Sequence, residues 1–225
     1  MKIALIAEGS SDRMLLPFLS WLLRSIDPDR SYEIVPIDLR DVRDAPNTIE
    51  GKIAWLEASE RCWDLVLVHR DSDSRDPEPR YREIDRAARV AVASIPVVAV
   101  VPVRATETWL LFDERAIRQA AGAPNSTVEL GLPSAGEIEK RARPKKLLHD
   151  ALTVASETRG RRRAKFRPEP RCHTVATAVR DWSPLMKLSA CQRLKLDLAT
   201  ALGGTDRDVL VPQRRGSRGG GDADD

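Results

Sequence analysis

Along the first hundred residues, short continuous apolar runs alternate with stripes of apolar residues at helical spacing. Lys2 to Ala7 is such a run, the pattern of a strand covered on both faces. After it, Leu15, Phe18, Leu19, Leu22, Leu23 and Ile26 recur at i, i+3, i+4, i+7, which predicts an amphipathic helix over Asp12 to Ser25. Ser10 or Ser11 is placed to cap that helix, because a short hydroxyl accepts from an orphaned backbone N–H. The unit repeats with Tyr32–Asp38 as strand, Thr48–Cys62 as helix and Asp64–Val68 as strand. It repeats again with Arg80–Ala93 as helix and Val97–Val103 as strand. Four strands separated by helices predict an α/β protein with a mainly parallel sheet and right-handed crossovers.

Beyond Ala105 the pattern is helical. Thr108–Ala121 is followed by a Gly/Pro-punctuated loop over Gly122–Gly136, and helices are predicted again at Lys145–Glu157, Val175–Trp182 and Ser189–Leu202. The proline-containing stretch Arg159–Arg171 separates the last three. Residues 213–225 carry arginine, glycine and aspartate without apolar periodicity and are expected to be disordered. The expected organisation is an α/β domain over 1–121, a basic helical region over 122–212 and a tail.

Composition narrows the class. The 225 residues are 42% hydrophobic and 32% charged, and no apolar run approaches the ~20 residues of a membrane helix. The apolar start ends at Glu8, too short for a secretory signal, and the three cysteines lack C-x-x-C spacing. A soluble protein of the reducing cytoplasm is expected. The net charge is only +3, but from Glu137 to Arg171 twelve Lys/Arg face five Asp/Glu, leaving the remainder acidic. A carboxylate-bearing body with a basic appendage suits an enzyme acting on a polyanion, and equally describes a solvated basic helix face.

In an open parallel sheet, ligands collect outside the carboxyl ends of the strands. Glu8 closes the first strand and is followed by Gly9, Ser10, Ser11 and Asp12; Asp71 and Asp73 follow the third strand. Two aspartates one residue apart point the same way in an extended segment and can share an ion. Clustered carboxylates call for a hard divalent cation, so Mg²⁺ or Mn²⁺ is the expected cofactor. Gly9 offers a tight turn beneath a ligand, and the first helix offers free N–H groups to a phosphate. A lone D-x-D is also common in loops after strands, and only its pairing with the first segment sharpens it.

Glu8-Gly9-x-x-Asp12 after an apolar first strand, with Asp71-x-Asp73 after a later one, resembles the Toprim (topoisomerase-primase) superfamily over residues 1 to 103. The resemblance implies a Rossmann-like three-layer fold. It also implies that Glu8 acts as a metal ligand or general acid/base in strand breakage, and that Asp71 and Asp73 coordinate Mg²⁺. One departure is Ser74-Arg75-Asp76 where the family has glycine after D-x-D. This shifts the likeness toward small stand-alone bacterial Toprim-like nucleases of the overcoming-lysogenization-defect type, several of which resemble anti-phage (antiviral) defence components. Glu107, followed by Trp109-Leu110-Leu111, looks like a recurring feature of those proteins, where it would help bind a second ion. Its alternative is an acid favoured at a helix N-terminus.

Lys145 and Lys146, after Pro144, either steady a scissile phosphate or form an exposed first helical turn. Arg161, Arg162, Arg163 and Lys165 would bind a nucleic-acid backbone. Asp76 reads as a turn residue before Pro77. His69-Arg70-Asp71 mimics a kinase catalytic loop but lacks its asparagine, and Cys172-His173 with Cys191 lacks metal spacing. His149 reads as a helix charge, and the five tryptophans as core or interface anchors. The expected function is therefore a Mg²⁺-dependent nuclease of DNA or RNA. The alternatives are a non-catalytic or partner-activated Toprim-like subunit, docking to a defence ATPase for instance, and a hydrolase of small phosphates.

Overall fold

The structure is a computed structural model that describes residues 1–7, 9–39 and 45–203. Four strands form one parallel sheet: β1 (Lys2–Ile6), β2 (Glu33–Ile37), β3 (Leu65–His69) and β4 (Val97–Val100), in the order β2-β1-β3-β4. Each parallel neighbour requires a crossover, and helices supply it: α1 (Leu16–Ile26), α2 (Ile49–Glu57) and α3 (Glu78–Val90). The two-residue period of the strands divides the core. Ile3, Leu5, Leu65, Leu67, Val98 and Val100 face Phe18, Leu19, Leu22 and Leu23 of α1. Ala4, Ile6, Val66 and Val68 face Ile53 and Leu56 of α2 and Tyr81, Ile84 and Ala87 of α3. The architecture is thus the expected three-layer α/β arrangement, and all five residues of β3 are buried, as a central strand covered on both faces requires.

Helices α4 (Glu114–Ala121), α5 (Pro144–Ala155), α6 (Gly160–Lys165), α7 (Arg171–Ala178) and α8 (Ser189–Ala201) follow. Ile117, Leu148, Leu152, Val175, Leu194 and Leu198 from this half join the cluster on the α1 side of the sheet. Aromatic rings knit the halves: Phe18 lies 5.0 Å from Trp109 in an edge-on contact and 5.4 Å from Trp182. Trp63 is buried too, whereas Trp55 is 39% exposed. No helix among the described residues is long and apolar enough to cross a membrane.

Several boundaries depart from the periodicity for local reasons. The first helix does not begin at Asp12: residues Ser10–Leu15 form a 3₁₀ turn, and α-helix starts at Leu16, with Pro17 in the first turn where a missing N–H is harmless. Ser10 and Ser11 lie inside that turn, so Gly9 takes the capping position expected of a serine. Its φ of −156° is extended backbone open to any residue, so no glycine-specific turn is made there. The predicted Thr108–Ala121 helix is split into a 3₁₀ turn, Thr106–Leu110, and α4, because the Asp113 side chain accepts from Ala116 N at 2.9 Å and starts a new helix. The ladder of β4 ends at Val100, ahead of Pro102, which has no N–H to donate. Within the expected separator Arg159–Arg171, Gly160–Lys165 is helical. The predicted tail 213–225 and the candidate ligand Glu8 lie outside the described residues.

Candidate functional site

The strand order reverses direction between β1 and β3, so the segments following β1, β3 and β4 meet at one carboxyl edge. At its centre is His69, the last residue of β3, which is 1% exposed. It follows Leu65 and Leu67 at period two, so its ring projects to the α1 side, where the turn carrying Asp12 sits. His69 Nδ1 lies 3.1 Å from Asp12 Oδ2, and Nε2 lies 3.2 Å from Asp71 Oδ1 and 3.0 Å from Thr106 Oγ1. Burial opposes charge on the imidazole, but hydrogen bonds and attraction from Asp12 and then Asp71 outweigh it, lifting the pKa to about 9. With its pKa near 9 the ring is an imidazolium at neutral pH, its Nε2 bonded to Asp71 and its Nδ1 within ion-pair distance of Asp12 but without an aligned hydrogen bond.

Both aspartates are held from further directions. Asp12 Oδ2 accepts the Gly9 N–H at 2.9 Å. Asp71 Oδ1 accepts the Thr106 N–H at 2.8 Å and the Thr106 hydroxyl at 3.0 Å. One carboxylate oxygen of Asp71 is thereby committed to the protein, while its side chain stays 24% exposed.

Asp71 and Asp73 do not project together as an extended D-x-D would. The strand stops at His69, and Asp73 has φ +55°, a left-handed conformation that turns the chain out of the alternation. Asp73 instead accepts from Arg80 Nη2 at 2.9 Å, while Arg80 Nε donates to the Asp71 carbonyl at 3.2 Å and Nη1 to Glu83 at 2.8 Å. Asp73 is 72% exposed.

Glu107 and Lys145, predicted separately, meet here. Glu107 is buried in the turn after β4, and Lys145 Nζ, at the start of α5, approaches its Oε1 to 3.9 Å. Lys146 turns to Asp150 at 2.5 Å. The neighbouring Cys172 thiol is pushed up to about 12, by burial first and the Glu107 charge next, and is inert as a nucleophile. Arg161, Arg162, Arg163 and Lys165 lie on α6, which buries none of its residues, and none of the four has an ion pair among the described residues.

Among the described residues, no three His, Cys, Asp or Glu side chains are grouped to hold a metal ion. Among the described residues, Asp71 keeps one oxygen without a protein partner, while Asp73 Oδ2 is taken by Arg80. One or two carboxylates with several waters is a donor set that Mg²⁺ takes.

Four participants escaped the motif reading: His69, Thr106, Arg80 and Arg104. A histidine closing an apolar strand two residues before an aspartate was the available signal, since a buried imidazole must find partners. Arg104 follows β4 with φ +68°, and its N–H donates to Ser72 Oγ at 2.6 Å and Ser74 O at 3.1 Å while its carbonyl accepts from Asp73 N at 3.0 Å. Two left-handed non-glycine residues, Asp73 and Arg104, thus lock the loops after β3 and β4 together. The Arg104 guanidinium has no hydrogen bond or ion pair among the described residues, and its Nε is buried without a partner. A left-handed arginine costs about 1 kcal/mol. Arg104→Gly is therefore expected to leave the free energy of unfolding in urea unchanged or raise it; a fall of about 2 kcal/mol or more would show that the side chain supports the fold.

No family model, curated protein or solved structure matches this chain. The resemblance to the Toprim superfamily stands on its two short motifs, of which Gly9, Asp12, Asp71 and Asp73 are described by the structure.

Proposed function

We propose that this protein is a Mg²⁺- or Mn²⁺-dependent phosphodiesterase of Toprim type that cuts DNA or RNA. The observation that carries this reading is the convergence of Asp12, His69, Asp71 and Thr106, from the segments after three different strands, at the edge where the sheet's order reverses. Asp71 and Asp73, with Glu8, would hold the ion. When bound, such an ion supplies an activated water and neutralises charge developing on the phosphoryl group.

The chain's own residues do the positioning. His69 and Thr106 hold Asp71 Oδ1 from two sides, which restricts the carboxylate to one orientation. Lys145, at the start of α5 and 3.9 Å from Glu107, would offer a cationic donor to a substrate phosphate. The exposed cations of α6 bind the nucleic-acid backbone without reading sequence.

The direct test is cleavage of plasmid DNA and RNA by wild type, Glu8→Gln and Asp71→Asn in Mg²⁺, Mn²⁺ or chelator. Activity confined to wild type with metal is expected; equal turnover by all three would sink the reading. Neutralising Arg161, Arg162, Arg163 and Lys165 together is expected to flatten the log–log salt dependence of nucleic-acid binding by about 3 units. An unchanged slope would assign α6 to a solvated face.

A second reading has its own observation. Asp12 and Asp71 already pair with His69, and Asp73 with Arg80, so much of the edge's negative charge is met without an ion. A partner-activated subunit, for instance of a defence ATPase, would be inert alone and cleave only once a co-purifying protein draws Arg80 away from Asp73.

A further inference from the structure

On the other side of the carboxyl edge, beyond the carboxylates, a solvent-open pocket of about 170 Å³ lies over the ends of β1 and β2. The 3₁₀ turn before α1 contributes Arg13, and the first turn of α2 contributes Lys52. Neither side chain has a hydrogen bond or ion pair among the described residues. Among the described lining residues the one carboxylate, Asp38, is engaged in an interaction of its own. Pro36, Leu39 and Pro46 form apolar walls, and Asn47 adds an amide that can both donate and accept.

Two cations without acidic partners among the described residues, held on opposite sides of the sheet's edge, mark a place for an anion. Solvated lysines and arginines on a convex surface would need no such account, but these line a concavity. The adjoining apolar surface is wasted on a bare inorganic anion and suits a flat, partly apolar body attached to it. An amide beside prolines and a leucine can hydrogen-bond the edge of a heterocycle whose face rests on the apolar wall. The pocket borders the carboxylate cluster through Gly9, which lines it and donates to Asp12, which in turn holds His69.

We infer that this pocket binds a nucleoside monophosphate unit, with Arg13 and Lys52 on the phosphate and Asn47 and the apolar walls on the base. That the unit belongs to the nucleic-acid strand being cut rests on the phosphodiesterase reading; the binding itself does not. A base placed here must leave its stack, so the strand entering the edge is single or frayed.

The test is calorimetric titration of the full chain in chelator with AMP, adenosine, inorganic phosphate and a 5′-phosphorylated pentanucleotide. AMP is expected to bind at least about tenfold more tightly than adenosine or phosphate, because only it engages both halves of the pocket. Arg13→Gln and Lys52→Gln, both near the surface and checked by thermal melting, are each expected to weaken AMP about fivefold or more. The pentanucleotide binding more tightly than AMP would identify a strand end as the occupant, and AMP alone binding would identify the free nucleotide. Phosphate matching AMP, or neither variant weakening it, would overturn the inference, as would no heat from either AMP or the pentanucleotide at millimolar concentration. AMP binding without any plasmid or RNA cleavage would uphold the pocket and reject the phosphodiesterase; cleavage without nucleotide binding would do the reverse.

Discussion

Asp71→Asn is expected to lower metal-dependent cleavage by about 10²–10³-fold while leaving a folded protein. The substitution is nearly isosteric, and the amide oxygen can still accept the Thr106 N–H that Asp71 Oδ1 accepts at 2.8 Å. What disappears is the negative charge, which serves the proposed ion on one side and His69 on the other. Asp73→Asn separates the two effects. Its carboxylate is 72% exposed and its bond to Arg80 is a surface pair, worth at most about 1 kcal/mol, so stability should barely move. A comparable loss of cleavage in Asp73→Asn, with an unchanged melting temperature, would assign both carboxylates to the ion. Full activity in Asp71→Asn would remove the proposed site, and loss of cleavage only in Asp71→Asn would leave Asp73 as the partner of Arg80 alone.

His69→Gln is expected to be the most destabilising single change at the carboxyl edge. It removes the cation that pairs with both Asp12 and Asp71 and puts a neutral side chain between the two carboxylates in a buried place, at a cost of about 3–5 kcal/mol. The pH dependence identifies the cause. Folding raises the His69 pKa from its ordinary 6.5 to about 9, so the folded protein binds a proton that the unfolded chain releases. That contribution is fully present below pH 6.5 and declines as pH rises through 9. Over this window it amounts to about 3 kcal/mol at 1.36 kcal/mol per pKa unit. Urea melts of wild type and His69→Gln in chelator, at pH 6 and pH 9.5, measure it directly. The gap between the two proteins should shrink by about that amount at the higher pH. Comparing the two cancels the buried Cys172 and Cys191 thiols, whose raised pKa values also weaken the fold in alkali. A gap that is constant with pH would mean that His69 is neutral in the native state and acts only by packing.

The α/β class and the order of its elements were legible because burial on two faces and burial on one stripe write different periods into a chain. Leu65–Val68 reads as a strand, and Phe18, Leu19, Leu22 and Leu23 as one helix face, with no knowledge of what covers them. The motif residues Asp12, Asp71, Asp73 and Glu107 were likewise visible as acids placed after strands. Their relations were not. Whether Asp71 and Asp73 project together depends on the φ of one residue, and Asp73 at +55° decides against it. Arg80 reads as an ordinary polar position of α3 until the helix, packed back on the sheet, delivers it to both aspartates' loop.

What the sequence determined by itself was the inventory: four strands, the helices between them, a carboxylate set on one edge and a basic segment to its C-terminal side. These follow from local periodicity and from where each strand must end. Only the tertiary structure decided which charges neutralise which. Asp12, His69 and Thr106 are separated by 57 and 37 residues, and their contacts exist because β1, β3 and β4 lie side by side and bring three otherwise unrelated loops within hydrogen-bond distance. The strength of a charge pair depends on burial and on distances of a few ångströms, and neither is written in the spacing of residues along a chain.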